Sequence, residues 1–360
     1  MKEKKKKGAA GRTVLQFLAG LAAGAAVGVV LAATAPSPLM AMWCLVLCLP
    51  AFLLHILLHE GGHLVCGLLT GYRFLSFRIS SWVLQKEEGG LRLRRLPMRG
   101  TLGQCLLIPP PEGEAQPFVL YHLGGGLANL LAAGCAALWL AVGGYQPFAV
   151  AMVVCGLYLG AANLIPTRSM PNDGANIRDA RRGPQWLDAL QSQLRLNAFL
   201  ATGGRIQDLT PEALALPAGL PPASNFAVPL MMMDYSRLLA LDLLEEGFEV
   251  LQRLLLLREE LCPYFARELD AEHCFCLCMT GQAEEAKKLY AQRLKKWLPA
   301  DTGLDKMRVR YAYLLLAEKK GSEAEKVLQK ALAAARSYPL PSVADSERRL
   351  LDRAAQLAAL

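Results

Sequence analysis

Four long runs of mostly apolar residues constrain this chain more than anything else in it. They occupy about 13–34, 39–69, 118–142 and 148–166. A helix needs roughly 20 mostly apolar residues to cross the hydrocarbon core of a bilayer. In that medium it must also satisfy its own backbone hydrogen bonds. The runs predict an α-helical membrane protein with about four transmembrane helices. The first run also fits a signal peptide, with a basic start and Ala33-Thr34-Ala35 before Pro36. Its apolar stretch is longer than a usual signal core, which favours a retained helix. Gly20, Gly24 and Gly28 would give that helix a smooth face for close packing.

The formal charge of +8 is unevenly spread. Lys2, Lys4, Lys5, Lys6, Lys7 and Arg12 precede the first run, and Arg73, Arg78, Lys86, Arg92, Arg94, Arg95 and Arg99 follow the second. The turns 35–38 and 143–147 carry no charge. Basic residues flanking apolar spans set orientation, so the N-terminus, segment 71–117 and everything after the fourth span are expected in the cytosol. The same placement argues for a lipid bilayer, and against nucleic acid, as what this charge meets. The expected location is a plasma membrane, that of a bacterial cell.

Segment 71–117 is more than a loop. Residues 72–84 and 91–96 are rich in aromatic, β-branched and alternating positions, and Glu87-Glu88-Gly89-Gly90 reads as the turn of a small cytosolic-side β-hairpin. Pro109-Pro110-Pro111 then breaks the chain. Composition changes after the fourth span to Glu, Lys, Arg, Leu and Ala, which suits an all-α soluble domain. The chain thus divides into a membrane domain, 1–182, a linker, 183–232, and a helical domain, 233–360. Gly247, Gly281 and Gly321 fall at similar intervals, and 283–296 looks like 324–335. This resembles a few degenerate tetratricopeptide-like hairpins, a design suited to docking a protein partner or gating substrate access; an ordinary helical bundle fits nearly as well. The ten cysteines show no disulfide framework. Glu272–Cys278 has alternate-residue cysteines, which point different ways on a helix and do not match zinc-ligand spacing.

The chemistry concentrates in His59-Glu60-Gly61-Gly62-His63. On a helix, positions i and i+4 share a face, so two imidazoles can grip one zinc ion while Glu60 reaches its water. His and Glu are costly in a bilayer and seldom sit there without a role. His55 lies one turn earlier, but three successive turns span about 12 Å, too far to close around one ion. It is expected to pack, or to support a ligand from behind. Asp173 is the candidate third ligand. Both His63 and Asp173 fall toward the cytosolic side when the spans are oriented, as one site requires. His122 is expected to be an interface residue.

These residues resemble the site-2 protease family of intramembrane zinc metalloproteases. Members carry a His-Glu-x-x-His helix and a later Asp-Gly preceded by Asn-x-x-Pro, here His59–His63, Asp173-Gly174 and Asn163–Pro166. Gly125-Gly126-Leu127-Ala128-Asn129 matches the family's Gly-Pro-x-x-Asn, with Gly126 in place of proline. The resemblance covers about 13–180. It implies zinc held by His59, His63 and Asp173, Glu60 as general base, Asn129 assisting the oxyanion, and Asn163 holding a locally unwound substrate. That substrate would be a membrane protein or peptide, cut in or near a transmembrane segment. The rival readings are a catalytically inert scaffold or receptor on the same fold, a metal transporter, and a membrane zinc protease with Glu as third ligand.

Overall fold

The computed structural model describes residues 35–87, 89–95, 102–111, 117–167, 169–336, 338 and 340–359. The expected first span, 13–34, and its glycines lie outside them. Three helices among the described residues are long and apolar enough to cross a membrane: α1 (Pro38–Leu69), α2 (Phe118–Gly143) and α3 (Pro147–Leu164). The chain forms two compact units, one of Met1–His59 with Gly125–Ala162, the other of Glu60–Gly124 with Asn163–Leu360. Helices α1 and α2 each run through both.

In the first unit the helices are apolar on the outside. Leu45, Leu49, Leu53 and Leu57 are exposed at four-residue intervals along α1, while Cys44, Ala51 and His55 are buried. A surface of this kind is consistent with a lipid surround. Small residues allow the helices to meet closely: Ala51, Ala136, Ala149, Ala151, Met152 and Cys155 form the core. A Cβ on Gly160 would come within 2.7 Å of Leu130, and one on Gly156 within 2.9 Å of Ala133. The pair Gly156/Gly160, one turn apart, is the small-residue face that lets α3 approach α2.

The second unit holds an open antiparallel sheet of order β3-β2-β1-β4, made of β1 (Arg73–Ile79), β2 (Trp82–Glu87), β3 (Gly90–Arg95) and β4 (Gly103–Ile108). The sequence suggested a hairpin of two strands. The longer of the two is split at Ser80, which takes φ 53° and turns the chain without the usual glycine or asparagine. The fourth strand, Gly-Gln-Cys-Leu-Leu-Ile, lacks the β-branched alternation that marks strands. Leu107 and Cys105 of β4 pack with Tyr72 and Tyr121. Gly67 is the seat for Leu107, since a Cβ there would stand 2.1 Å from its methyl group.

Residues 183–232, read above as a linker, carry α5 (Pro184–Ala201) after the short α4 (Asp173–Ala180), with a further core around Trp186, Leu190, Leu200, Ile206 and Phe226. Asn172 caps α4, its Oδ1 accepting from the Ala175 N–H at 2.9 Å. Beyond a single helical turn at Pro211–Leu214, seven longer helices follow among the described residues: α6 (Ala227–Ala240), α7 (Leu244–Leu256), α8 (Pro263–Met279), α9 (Ala283–Leu289), α10 (Leu304–Ala312), α11 (Gly321–Arg336) and α12 (Pro341–Ala359). They share one apolar core. Left-handed residues at Asp242, Gly281 and Lys319 end α6, α8 and the π-turn that extends α10. Only Gly281 is one of the expected repeat glycines. Gly247 lies inside α7 and Gly321 opens α11. The regular feature is therefore the turn conformation, not the glycine. Leu243 N–H donates to Leu238 O at 2.9 Å and Gln282 N–H to Leu277 O at 2.8 Å, the closing bonds of left-handed helix caps.

Candidate metal centre

Helix α1 carries the first two ligands. The boundary between the units falls between His59 and Glu60, within that helix, so helical geometry alone places His59 one turn before His63. The turn between them packs against α2 through glycine. A Cβ on Gly124 would meet the Gly62 carbonyl oxygen at 2.4 Å. This close approach brings the backbone of α2 to His63, whose Nδ1 lies 2.9 Å from the Tyr121 carbonyl oxygen. A carbonyl only accepts, so Nδ1 donates to it and Nε2 is the ring nitrogen left to face the next ligand candidate.

Asp173 meets that nitrogen. Its Oδ2 is 3.3 Å from His63 Nε2, and its Oδ1 is 3.4 Å from Nδ1 of His122. The aspartate is the first residue of α4, and the glycine after it explains how the helix reaches its place. A Cβ on Gly174 would lie 2.0 Å from the Leu164 carbonyl oxygen, so only glycine allows the start of α4 to touch the end of α3. Asn172 ties the same junction, its Nδ2 donating to Ile165 O at 2.7 Å.

His59, His63 and Asp173 each offer a ligand atom, and these atoms lie within 4.8 Å of one another. The sequence-predicted triad is thus assembled and can hold a metal ion. Metal–ligand bonds of about 2.0–2.2 Å put neighbouring tetrahedral ligand atoms roughly 3.4 Å apart. The His63–Asp173 spacing already matches that edge. Closing the whole set requires side-chain shifts on the order of 1 Å.

Glu60 is half-buried beside the triad on the same helix. Asn129 is buried, 1 % exposed, with its amide 3.2 Å from Nδ1 of His59. Asn163 stands half-buried in the last turn of α3, next to Leu164. His122, expected only at an interface, instead steadies the carboxylate of Asp173. It is 5 % exposed, and its Nε2 has no hydrogen-bond partner among the described residues. A buried histidine at the start of an apolar helix was the available signal for it. The cysteines at 274, 276 and 278 are buried in the C-terminal core.

No family model, curated protein or solved structure matches this chain. Two imidazoles and one carboxylate suit a borderline transition metal better than calcium or magnesium, which take oxygen ligands.

Proposed function

We propose that this chain is an intramembrane zinc metallopeptidase of the site-2 protease type, hydrolysing peptide bonds in or near the membrane-spanning segments of other proteins. The observation that carries the reading is the convergence of His59, His63 and Asp173 beside Glu60 on a membrane-length helix. Three protein ligands leave a coordination position for water or substrate, as a catalytic rather than a structural site does. Zinc, when bound, supplies Lewis acidity toward a peptide carbonyl and toward water. Glu60 takes the proton of the attacking water and returns it to the leaving amine. Asn163 helps hold the substrate chain in extended form. Strand β3, an edge of the sheet and exposed along its whole length, offers that chain a backbone to pair with.

The protein in this reading is integral to a bacterial plasma membrane, with the sheet and the C-terminal helices in the cytosol. Basic side chains on the sheet and uncharged turns at 35–38 and 143–147 support that orientation. The recurrence of left-handed caps at Asp242, Gly281 and Lys319 supports tetratricopeptide-like hairpins that dock a protein partner.

The test is cleavage by the zinc-loaded full chain, reconstituted in vesicles, of a panel of single-span helical peptides carrying a quenched fluorophore. Cleavage of at least one, stopped by a chelator and by Glu60→Gln, is the expected result. Equal cleavage by Glu60→Gln, or none by the wild type, contradicts the proposal.

A further inference from the structure

His55 lies one turn before His59 on α1 and is fully buried. Its Nε2 is 2.8 Å from the Met152 carbonyl oxygen and its Nδ1 is 3.1 Å from the side-chain amide of Asn129. The other end of that amide is 3.2 Å from Nδ1 of His59. These three side chains form an unbroken line from the backbone of α3 to a metal ligand.

The direction of each bond follows from its fixed end. A backbone carbonyl can only accept, so Nε2 of His55 carries a proton. The remaining nitrogen of a neutral ring then accepts, and what faces it must donate. The end of the Asn129 amide at His55 is therefore its NH2, and the end at His59 is its oxygen. As placed, the amide has Oδ1 toward His55 and Nδ2 toward His59. That orientation would set the lone pair of His55 Nε2 against the Met152 carbonyl oxygen. The oxygen and nitrogen of an asparagine are assigned from their hydrogen bonds, and with a neutral ring at the fully buried His55 the bonds require the turned amide. His59 then donates from Nδ1 and leaves Nε2 with a lone pair.

We propose that His55 and Asn129 are positioning residues that lock His59 in the tautomer able to bind metal through Nε2. The inference rests on the metal site proposed above and changes the role expected of Asn129, from contact with the oxyanion to orientation of a ligand. Two further observations support it. His63 has the same arrangement, its Nδ1 held by the Tyr121 carbonyl, so both histidines give Nδ1 to an acceptor oxygen. Metal-binding histidines ordinarily do this. Gly156 makes room for His55: a Cβ there would lie 2.5 Å from the His55 ring and 2.8 Å from the backbone oxygen of Asn129.

The experiment uses the full chain in detergent with 15N-labelled histidine, of which there are only five. In the metal-free wild type, His59 and His63 are expected as Nδ1–H tautomers and His55 as Nε2–H. His55→Leu should give His59 a mixture of tautomers and weaken zinc binding about 10- to 100-fold, as loss of a partner behind a ligand does. His55→Gln, whose amide offers one acceptor and one donor, should restore most of that affinity. An Nε2–H tautomer at His59 in the wild type overturns the proposal, as does wild-type zinc affinity in His55→Leu. A wild type that binds no zinc while His59 shows the Nδ1–H form would instead sink the metal reading and leave the relay standing.

Discussion

Nε2 of His63 faces Oδ2 of Asp173 at 3.3 Å while Nδ1 of the same ring is committed to the Tyr121 carbonyl. In this buried position a cation holds the two groups together, either the proton of a His–Asp ion pair or a metal ion bound to both. Asp173→Asn tests that relationship with almost no change of shape, because its amide can donate to His63. Zinc affinity in a competition titration should fall by more than about 100-fold, beyond what partners behind a ligand contribute.

As the proposed general base, Glu60 should separate from the three candidate ligands. Glu60→Gln keeps the helix and its two histidines. Zinc content should stay at the wild-type level, while peptide cleavage falls by about 10²- to 10⁴-fold, the usual contribution of a general base.

The glycines around the site are predicted to differ sharply. Gly174→Ala puts a methyl group 2.0 Å from the Leu164 carbonyl oxygen, so α4 must move and carry Asp173 with it. A loss of about 1–3 kcal/mol in stability, with weakened zinc binding, is expected. Gly61→Ala meets open space within 4 Å and should leave zinc binding unchanged, with a gain of up to about 1 kcal/mol from helix propensity. Thermal unfolding with and without zinc checks both.

The C-terminal helices carry a pH dependence of their own. Arg308 Nε donates to Glu347 at 2.7 Å and its Nη2 to Glu272 at 2.9 Å, so two carboxylates share one buried guanidinium. Burial, opposed by Arg308 and reinforced by Asp305 and Glu272, pushes the Glu347 carboxyl up to about 7 from its ordinary 4.5. The folded protein thus holds a proton there more tightly than the unfolded chain does. The stability this confers is complete below about 4.5 and is lost as pH rises to about 7, on the order of 3 kcal/mol in all. The melting temperature of the wild type should fall over that window relative to Glu347→Gln, and parallel curves would contradict the assignment.

The parts legible in the sequence were those with a strong local period or motif. Apolar runs marked α1, α2 and α3 because a membrane span is written in contiguous residues. The spacing of His59 and His63 marked the metal face because a helix turn brings i and i+4 together. What was illegible depends on contacts between distant segments. Gly62 with Gly124, and Gly174 with Leu164, are close approaches that no local pattern announces. The pair Gly156/Gly160 is a local small-residue pattern, but its close approach to Ala133 and Leu130 depends on α2. Strand β4 lacks β-branched residues over most of its length and is held by its pairing with β1. The role of His122 exists only because α4 delivers Asp173 to it.

The most direct measurement is the metal content of the detergent-purified full chain, wild type beside His63→Ala and Asp173→Ala. The account predicts about one zinc per chain in the wild type and none retained by either variant after dialysis against a weak chelator. Wild-type protein that stays metal-free after reconstitution with zinc, or variants that keep a full equivalent, would contradict it.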